Sequence, residues 1–429
     1  MGGLAQLCRQ KGWIVSGSDQ QVYPPMSDQL AQAGITLHEG YDPAVLTADL
    51  DLVVVGNSMS RGNLVVEEVL DRRIPFISGP ELLGRLTGDM VVLAVAGTHG
   101  KTTTASMLAW ILECQRLNPG FLIGGVPQNF DVSARLGGGK YFIVEADEYD
   151  TAFFDKRSKF VHYHADIFGI NNLEFDHADI FDTITSIEMQ FHFAIRRVPR
   201  SGLIVARSRI KAIDRVLERG CWSKQMWIGR GTTVEFESQL NELFFPGLDQ
   251  CIEWNMRGAH NARNAELAVA MACSLNVPIE VAFSSLQSFG GVARRLNLMF
   301  EGDGLKIWDD FAHHPTAIEA TLSALAEDEI AGPLTAVIEL RSNTMKLGIH
   351  GDALLKSVDA ADIVYWVLPE SQDWNVSSLI RRDGTAHLVA DALCLPPDLV
   401  SQLRGQIVFM SNGGFSKIQQ RVVEAIKTR

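Results

Sequence analysis

The sequence predicts a multi-domain α/β protein on three observations. Short Val- and Ile-rich runs alternate with longer helix-like stretches nearly throughout, two breaks divide that alternation, and a Gly-rich turn joins one apolar run to one helix. A chain of 429 residues holds two to four domains at roughly 100–200 residues each. The alternation places strands at 51–56, 91–96, 141–146, 166–170, 202–206, 306–308, 334–338, 362–368 and 406–410. These runs are apolar without a period of two, so most should be parallel strands buried on both faces. The first break lies near 84–89, where the helical pattern PELLGRL passes through a polar turn into a new strand. The second lies near 295–304, where FGGVARRLN is followed by GDG and another strand. Together they set expected domains at 1–88, 89–297 and 298–429, each of ordinary size.

The opening of the chain departs from pattern. A doubly wound nucleotide domain begins strand, Gly-rich turn, helix, whereas Met1-Gly2-Gly3 runs directly into LAQLCRQKG. The expected architecture is therefore an N-terminal Rossmann-like domain lacking its first strand, a central domain with the parallel sheet of phosphate-loop ATPases, and a C-terminal Rossmann-like domain. The numbering is expected to begin inside a longer product or at a misplaced start.

Composition narrows the partners. With 46% hydrophobic and 21% charged residues, the chain can bury cores and is not disordered. No apolar run approaches the ~18 residues of a membrane helix, and the first residues lack a secretory leader. No fixed-period repeat is present, which excludes solenoids and propellers. Cys8, Cys114, Cys221, Cys251, Cys273 and Cys394 show no C-x-x-C spacing, so neither a disulfide framework nor a zinc site is expected. A net charge of -13 without a Lys/Arg run disfavours nucleic acid and anionic membranes. The expectation is a reduced, cytoplasmic protein.

Five motifs carry chemistry. Gly97-Thr98-His99-Gly100-Lys101-Thr102-Thr103 follows the apolar run VVLAVA and enters the helix-like TTASMLAWIL. This is the context of a phosphate loop, in which glycines let successive N–H groups face one anion and the next helix adds its positive end. Lys101 would reach the β/γ-phosphates and the Thr102 hydroxyl would bind Mg²⁺. The long form of the motif needs Gly at 95, where this chain has Val95, so the match is to a shorter variant. The acidic run EADEYD (145–150) ends another expected strand, where α/β ligand sites lie; one carboxylate there would suit a hard cation bridging phosphates. NNLEFDH (171–177) follows a third strand, and Asp176 beside His177 reads as a metal or acid/base pair, or as an ordinary loop. GAHNARNA (258–265) opens a helix on which Asn261 and Asn264 share a face, either to meet a base or ribose or to cap the helix. Arg294-Arg295 and DDFAHHP (309–315) flank the second break, where a closing lid would deliver a cation to a transferring phosphoryl group.

In this order, GTHGKTTT, EADEYD, NNLEFDH, GAHNARNA, GVARRLN and DDFAHHPT resemble the Mur ligases, the ATP-dependent amide-forming family of peptidoglycan synthesis. The resemblance covers essentially the whole chain. GSD (17–19) and the histidine pair His313-His314 resemble the branch that uses UDP-N-acetylmuramate. Within it, VYPPMS (22–27), the stretch 145–163 and RSNTMKLG (341–348) resemble members that attach the recycled tripeptide L-Ala-γ-D-Glu-meso-diaminopimelate. The alternatives are addition of L-alanine to the same acceptor, or a non-catalytic nucleotide-binding module.

The resemblance implies ATP and Mg²⁺ as cofactors and an acyl phosphate intermediate. Its implied catalytic residues are Lys101, Glu145, His177 and Arg295. Gly97, Thr98, His99, Gly100, Lys101, Thr102, Thr103, His260, Asn261, Asn264, Arg295 and Asp310 are implied to bind ATP, with Thr102, Glu145 and His177 as metal ligands. Ser18, Asp19, Asn57, Ser58 and Asn129 are implied for the UDP-sugar, and Arg341, Ser342 and Asn343 for the peptide. A monomer or weak homo-oligomer is expected. Several family branches carry a carbamylated lysine about fifteen residues after the metal histidine, but 178–195 holds no lysine, which suits the N-acetylmuramate branch.

Overall fold

A computed structural model describes residues 1–22, 26–328, 330–368, 374–379, 385–390 and 404–427. Residues 23–25 of the VYPPMS motif and Cys394 lie outside them. The described residues form two compact units, one of 1–174, 184–232 and 267–285, the other of 175–183, 233–266 and 286–429.

The first unit is built on a seven-stranded sheet. Its order is Lys224–Ile228, Leu203–Arg207, Ile167–Ile170, Val91–Ala96, Tyr141–Glu145, Gly120–Leu122 and Ala134–Arg135, and every pair except the last is parallel. The central strand explains its own sequence. Leu93, Ala94, Val95 and Ala96 are each 0% exposed, because helices cover both faces of a parallel sheet and leave no polar side. The helix Lys101–Cys114 that follows buries Thr102 through Ala109 as well as Ile111 and Leu112. Parallel register aligns the carboxyl ends, pairing Val95 with Glu145 and Ala96 with Ile170. The turns after three neighbouring strands therefore open at one edge, where the chain leaves the central strand and the order reverses.

The N-terminal part of this unit starts with the helix Gly2–Gln10. Two parallel pairs follow, Ser16–Asp19 with Thr36–Glu39 and Val53–Val55 with Phe76–Ser78. Each is a two-stranded sheet. The helix Gly79–Leu86 is capped by Ser78, whose hydroxyl accepts the Glu81 N–H at 3.2 Å. It packs so closely that a Cβ on Gly84 would lie 2.3 Å from the His162 carbonyl oxygen. Gly84→Ala is thus expected to cost about 1–3 kcal/mol, as overpacked cores do. Urea unfolding of the variant would measure it, and an unchanged midpoint would contradict this packing.

The second unit contains a six-stranded sheet of order Asn297–Gly302, Leu305–Asp310, Gly405–Met410, Leu334–Glu339, Ile363–Val367 and Ala386–Val389. The first two form an antiparallel hairpin and the others run parallel. The hairpin turns at Asp303-Gly304, both with positive φ, which is the geometry two-residue hairpin turns favour. A core lies on each face, one around Ile318, Leu322, Ala336 and Trp366, the other around Ile307, Val337, Phe409 and Phe415. A small antiparallel sheet of Glu237–Gln239, Glu242–Phe245 and Gln250–Glu253 completes the unit. No described helix is long and apolar enough to cross a membrane, and five of the cysteines are free thiols.

Candidate active site

In the first unit the phosphate loop is a turn between the central strand and its helix. Gly97 and Gly100 take positive φ of 138° and 78°, conformations that only glycine adopts without strain. Gly100 is the residue before the helix, so Lys101 and Thr102 occupy the first turn, where free N–H groups and the helix dipole favour an anion.

Lys101 and Thr102 meet the acidic run of the adjacent strand. Lys101 Nζ donates to Gly97 O at 2.8 Å, to Thr98 O at 3.2 Å and to both carboxylate oxygens of Glu148 at 2.8 and 3.1 Å. Burial alone would lower the Lys101 pKa, but Glu148, then Asp147 and Glu145, outweigh it and raise it, so the ammonium stays charged. The Thr102 hydroxyl donates to Glu145 Oε1 at 2.9 Å, and Glu145 Oε2 accepts the Gly124 N–H at 2.7 Å. A hydroxyl and a carboxylate side by side at the end of a phosphate loop are the oxygen donors Mg²⁺ prefers, so these residues fit the ion.

Sequence reasoning passed over the residues that hold this loop in shape. Asn172 grips His99 on both sides: its Oδ1 accepts the His99 N–H at 2.8 Å and its Nδ2 donates to the His99 carbonyl at 3.0 Å. Thr98 Oγ1 accepts the Glu174 N–H at 2.8 Å. Behind them the buried Arg207 donates to Asn171 O at 2.9 Å and through Nη2 to Asn171 Oδ1 at 2.9 Å. Two adjacent asparagines after a strand were the available signal. Asn172→Ala removes two hydrogen bonds worth about 1 kcal/mol each, so the ATP KM should rise about tenfold or more with a smaller change in kcat. Steady-state kinetics at varied ATP would show it; an unaltered KM would mean the loop holds itself.

Of the residues expected at the UDP-sugar, Ser18 and Asp19 end the strand Ser16–Asp19, and Asn57 and Ser58 follow the strand Val53–Val55. Asn129 lies in the loop after Gly120–Leu122. Ser18 Oγ donates to Gly40 O, and Asp19 Oδ1 accepts the Gln21 N–H at 3.1 Å.

His177 belongs to the second unit. It adopts φ of 54°, its N–H donates to Asp176 Oδ1 at 2.7 Å, and its carbonyl accepts the N–H groups of Ile180 and Phe181. Burial would raise the Asp176 pKa, but His177, His314 and the His177 N–H outweigh it and hold the carboxyl well below the usual range. Asp176, His314 and His350 bring ligand-type atoms within 4.8 Å of one another. His314 Nδ1, however, accepts the Thr316 N–H at 3.3 Å, which places the neutral ring's proton on Nε2.

The helix Ala259–Cys273 carries the next set. Asn264 Nδ2 donates to Asn261 Oδ1 at 3.1 Å and Asn261 Nδ2 to Arg257 O at 2.8 Å. The two amides do share a face. Burial, with Arg263 adding to it, lowers the His260 pKa to about 4, so this ring is neutral at pH 7. The Arg295 guanidinium lies 4.5 Å from the Phe311 ring centroid. Asp310 Oδ2 accepts the Leu296 N–H at 2.5 Å and Oδ1 the Ala312 N–H at 2.8 Å. Burial raises its pKa, opposed by Arg295 and these donors. Ser342 caps the short helix Asn343–Lys346, Asn343 Nδ2 donates to Asp179 Oδ2 at 2.8 Å, and the Arg341 side chain is 55% exposed.

A glycine turn over a parallel sheet, a buried lysine and a hydroxyl–carboxylate pair define a phosphate-loop protein of the α/β class. Comparison with known proteins narrows the class. The Mur ligase family catalytic domain matches residues 1–89, the Mur ligase middle domain 95–272 and the Mur ligase glutamate ligase domain 294–393. The chain belongs to the Mur ligase family. It is 44% identical over 441 residues to the UDP-N-acetylmuramate–L-alanyl-γ-D-glutamyl-meso-2,6-diaminoheptandioate ligase of Haemophilus influenzae, covering 100% of this chain and 97% of that one. It is 45% identical over 438 residues to the ligase of the same name from Escherichia coli, covering 99% and 96%. The crystal structure of a murein peptide ligase from Psychrobacter arcticus superposes with a TM-score of 0.75 at 38% identity, covering 100% and 97%.

Proposed function

We propose that this chain is an ATP-dependent ligase that joins the tripeptide L-Ala-γ-D-Glu-meso-diaminopimelate to UDP-N-acetylmuramate, in the cytoplasm and in peptidoglycan recycling. The observation that carries the reading is the meeting of Lys101, Thr102 and Glu145 at one end of the first unit's sheet. Choice of the tripeptide is supported by end-to-end similarity to the two ligases named for it.

The chemistry has two steps. A lactyl carboxylate oxygen attacks the γ-phosphorus of ATP, and ADP leaves. The peptide's amine then attacks the acyl carbon, the C–O bond to phosphate breaks, and an amide remains after the amine loses its proton. Both steps gather negative charge around the transferred phosphoryl group, so fixed cations supply most of the acceleration. In this reading Lys101 leaves Glu148 for the γ-phosphate, and Arg295 serves the same group. Thr102 and Glu145 would hold one Mg²⁺ and His177 would serve a second, and ions there would supply positive charge against the phosphates. His260, Asn261 and Asn264 meet the adenine and Asp310 the ribose. Ser18, Asp19, Asn57, Ser58 and Asn129 serve the UDP-sugar within residues 1–88, the ATP domain spans 89–297, and Arg341, Ser342 and Asn343 serve the peptide within 298–429.

A phosphate-release assay tests the whole. Release should require ATP, UDP-N-acetylmuramate and tripeptide together. Release with L-alanine but not with tripeptide would change the acceptor, and nucleotide binding without turnover would sink the ligase.

A further inference from the structure

The segment 171–183 is fastened at both ends. Its start is tied to the phosphate loop inside the first unit through Asn172 and Glu174. Its end is tied inside the second unit to the loop 341–350, which follows the strand Leu334–Glu339. There the buried Thr344 hydroxyl donates to Asp176 Oδ1 at 3.2 Å, and Asn343 donates to Asp179 at 2.8 Å.

Asp176 Oδ1 is shared. The oxygen that takes the Thr344 hydroxyl also takes the His177 N–H at 2.7 Å, so one buried atom stands between the loop bearing Arg341 and the backbone of the candidate metal histidine. Both partners have little freedom. Thr344 is 2% exposed and Asp176 5%, and Ser342 accepts the Met345 N–H at 3.3 Å, which fixes Thr344 in a capped turn one residue from Asn343. Hydrogen bonds to a carboxylate are among the stronger ones. A shift of Arg341, Ser342 and Asn343 on taking a ligand therefore moves Thr344, and through Asp176 the peptide plane at His177. Sequence spacing hides this link, since Asp176 and Thr344 are 168 residues apart.

We propose that Thr344 and Asp176 are positioning residues through which occupation of the acceptor loop sets the backbone at His177, and so the hold on the divalent cation assigned to His177. This rests on the reading above for the roles of loop 341–350 and His177. Coupling of this kind is a free energy shared by two ligands and acts in both directions.

The test is binding, read by EPR of free Mn²⁺ against the full-length enzyme with a non-hydrolysable ATP analogue and UDP-N-acetylmuramate, with and without tripeptide. Wild type should bind Mn²⁺ about fivefold or more tightly when tripeptide is present. Thr344→Val, which keeps the shape and removes the donor, should lose most of that gain; Thr344→Ser should keep it. Thr344→Ala removes the same donor with less bulk and should lose the same gain, so it decides if Thr344→Val does not fold. Equal tightening in wild type and in the folded variants overturns the proposal, as does no tightening in a wild type that turns over the tripeptide. Absence of tripeptide-dependent phosphate release in the wild type would instead overturn the acceptor assignment.

Discussion

Lys101→Ala is expected to lower phosphate release by about a thousandfold or more, because it removes the buried cation that the proposed reaction sets against the γ-phosphate. The same change harms the fold. Glu148 is 2% exposed and both of its carboxylate oxygens accept from Lys101 Nζ, and removing one partner of a buried charge pair costs roughly 3–5 kcal/mol. Loss of activity in the single variant would therefore mix two effects. The double variant Lys101→Ala/Glu148→Gln separates them: its melting temperature should recover most of the loss while turnover stays absent. A double variant that regained turnover would show that Lys101 mattered for stability alone.

Glu145→Gln carries the second large effect. Glutamine keeps the shape and can still accept the Gly124 N–H or the Thr102 hydroxyl, but it brings no charge to a cation. A loss of about a hundredfold to a thousandfold in kcat is expected, the scale of removing one electrostatic contact to a transition state. The Mg²⁺ concentration for half-maximal rate should rise by about tenfold or more, since a neutral oxygen is a poorer ligand for a hard ion. Titrating phosphate release with Mg²⁺ gives both numbers. A half-maximal concentration equal to wild type would remove Glu145 from the metal site.

Much of the fold was legible because the signals were local. Unbroken apolar runs mark strands that are covered on both faces, and all nine expected strands are present, Val91–Ala96 with identical bounds. Strands with weak or polar sequences were not legible. Ser16–Asp19 reads SGSD and Glu237–Gln239 reads ESQ; their pairing comes from neighbours, not from side-chain character. The site shows the same division. Lys101 and Thr102 stood out by their place after a glycine turn, whereas Glu145 was singled out within its acidic run only by the family resemblance; the structure sets Thr102 against Glu145 and Lys101 against Glu148. Asn172 and Arg207 did not stand out, since an amide and a guanidinium are common on any loop and gain meaning only when a distant backbone group lies opposite. Thr344 was invisible for the same reason, as its partner's relevance depends on long-range placement.

The left-handed backbone at His177 bears on how that residue can be studied. With φ at 54°, a side chain with a Cβ sits in a conformation that asparagine tolerates better than alanine does, and glycine best of all. Routine truncation to alanine would therefore mix removal of the ring with a refolded peptide bond and overstate the imidazole's worth. Exchange for asparagine, with glycine as a conformational control, would let the ring be weighed by itself.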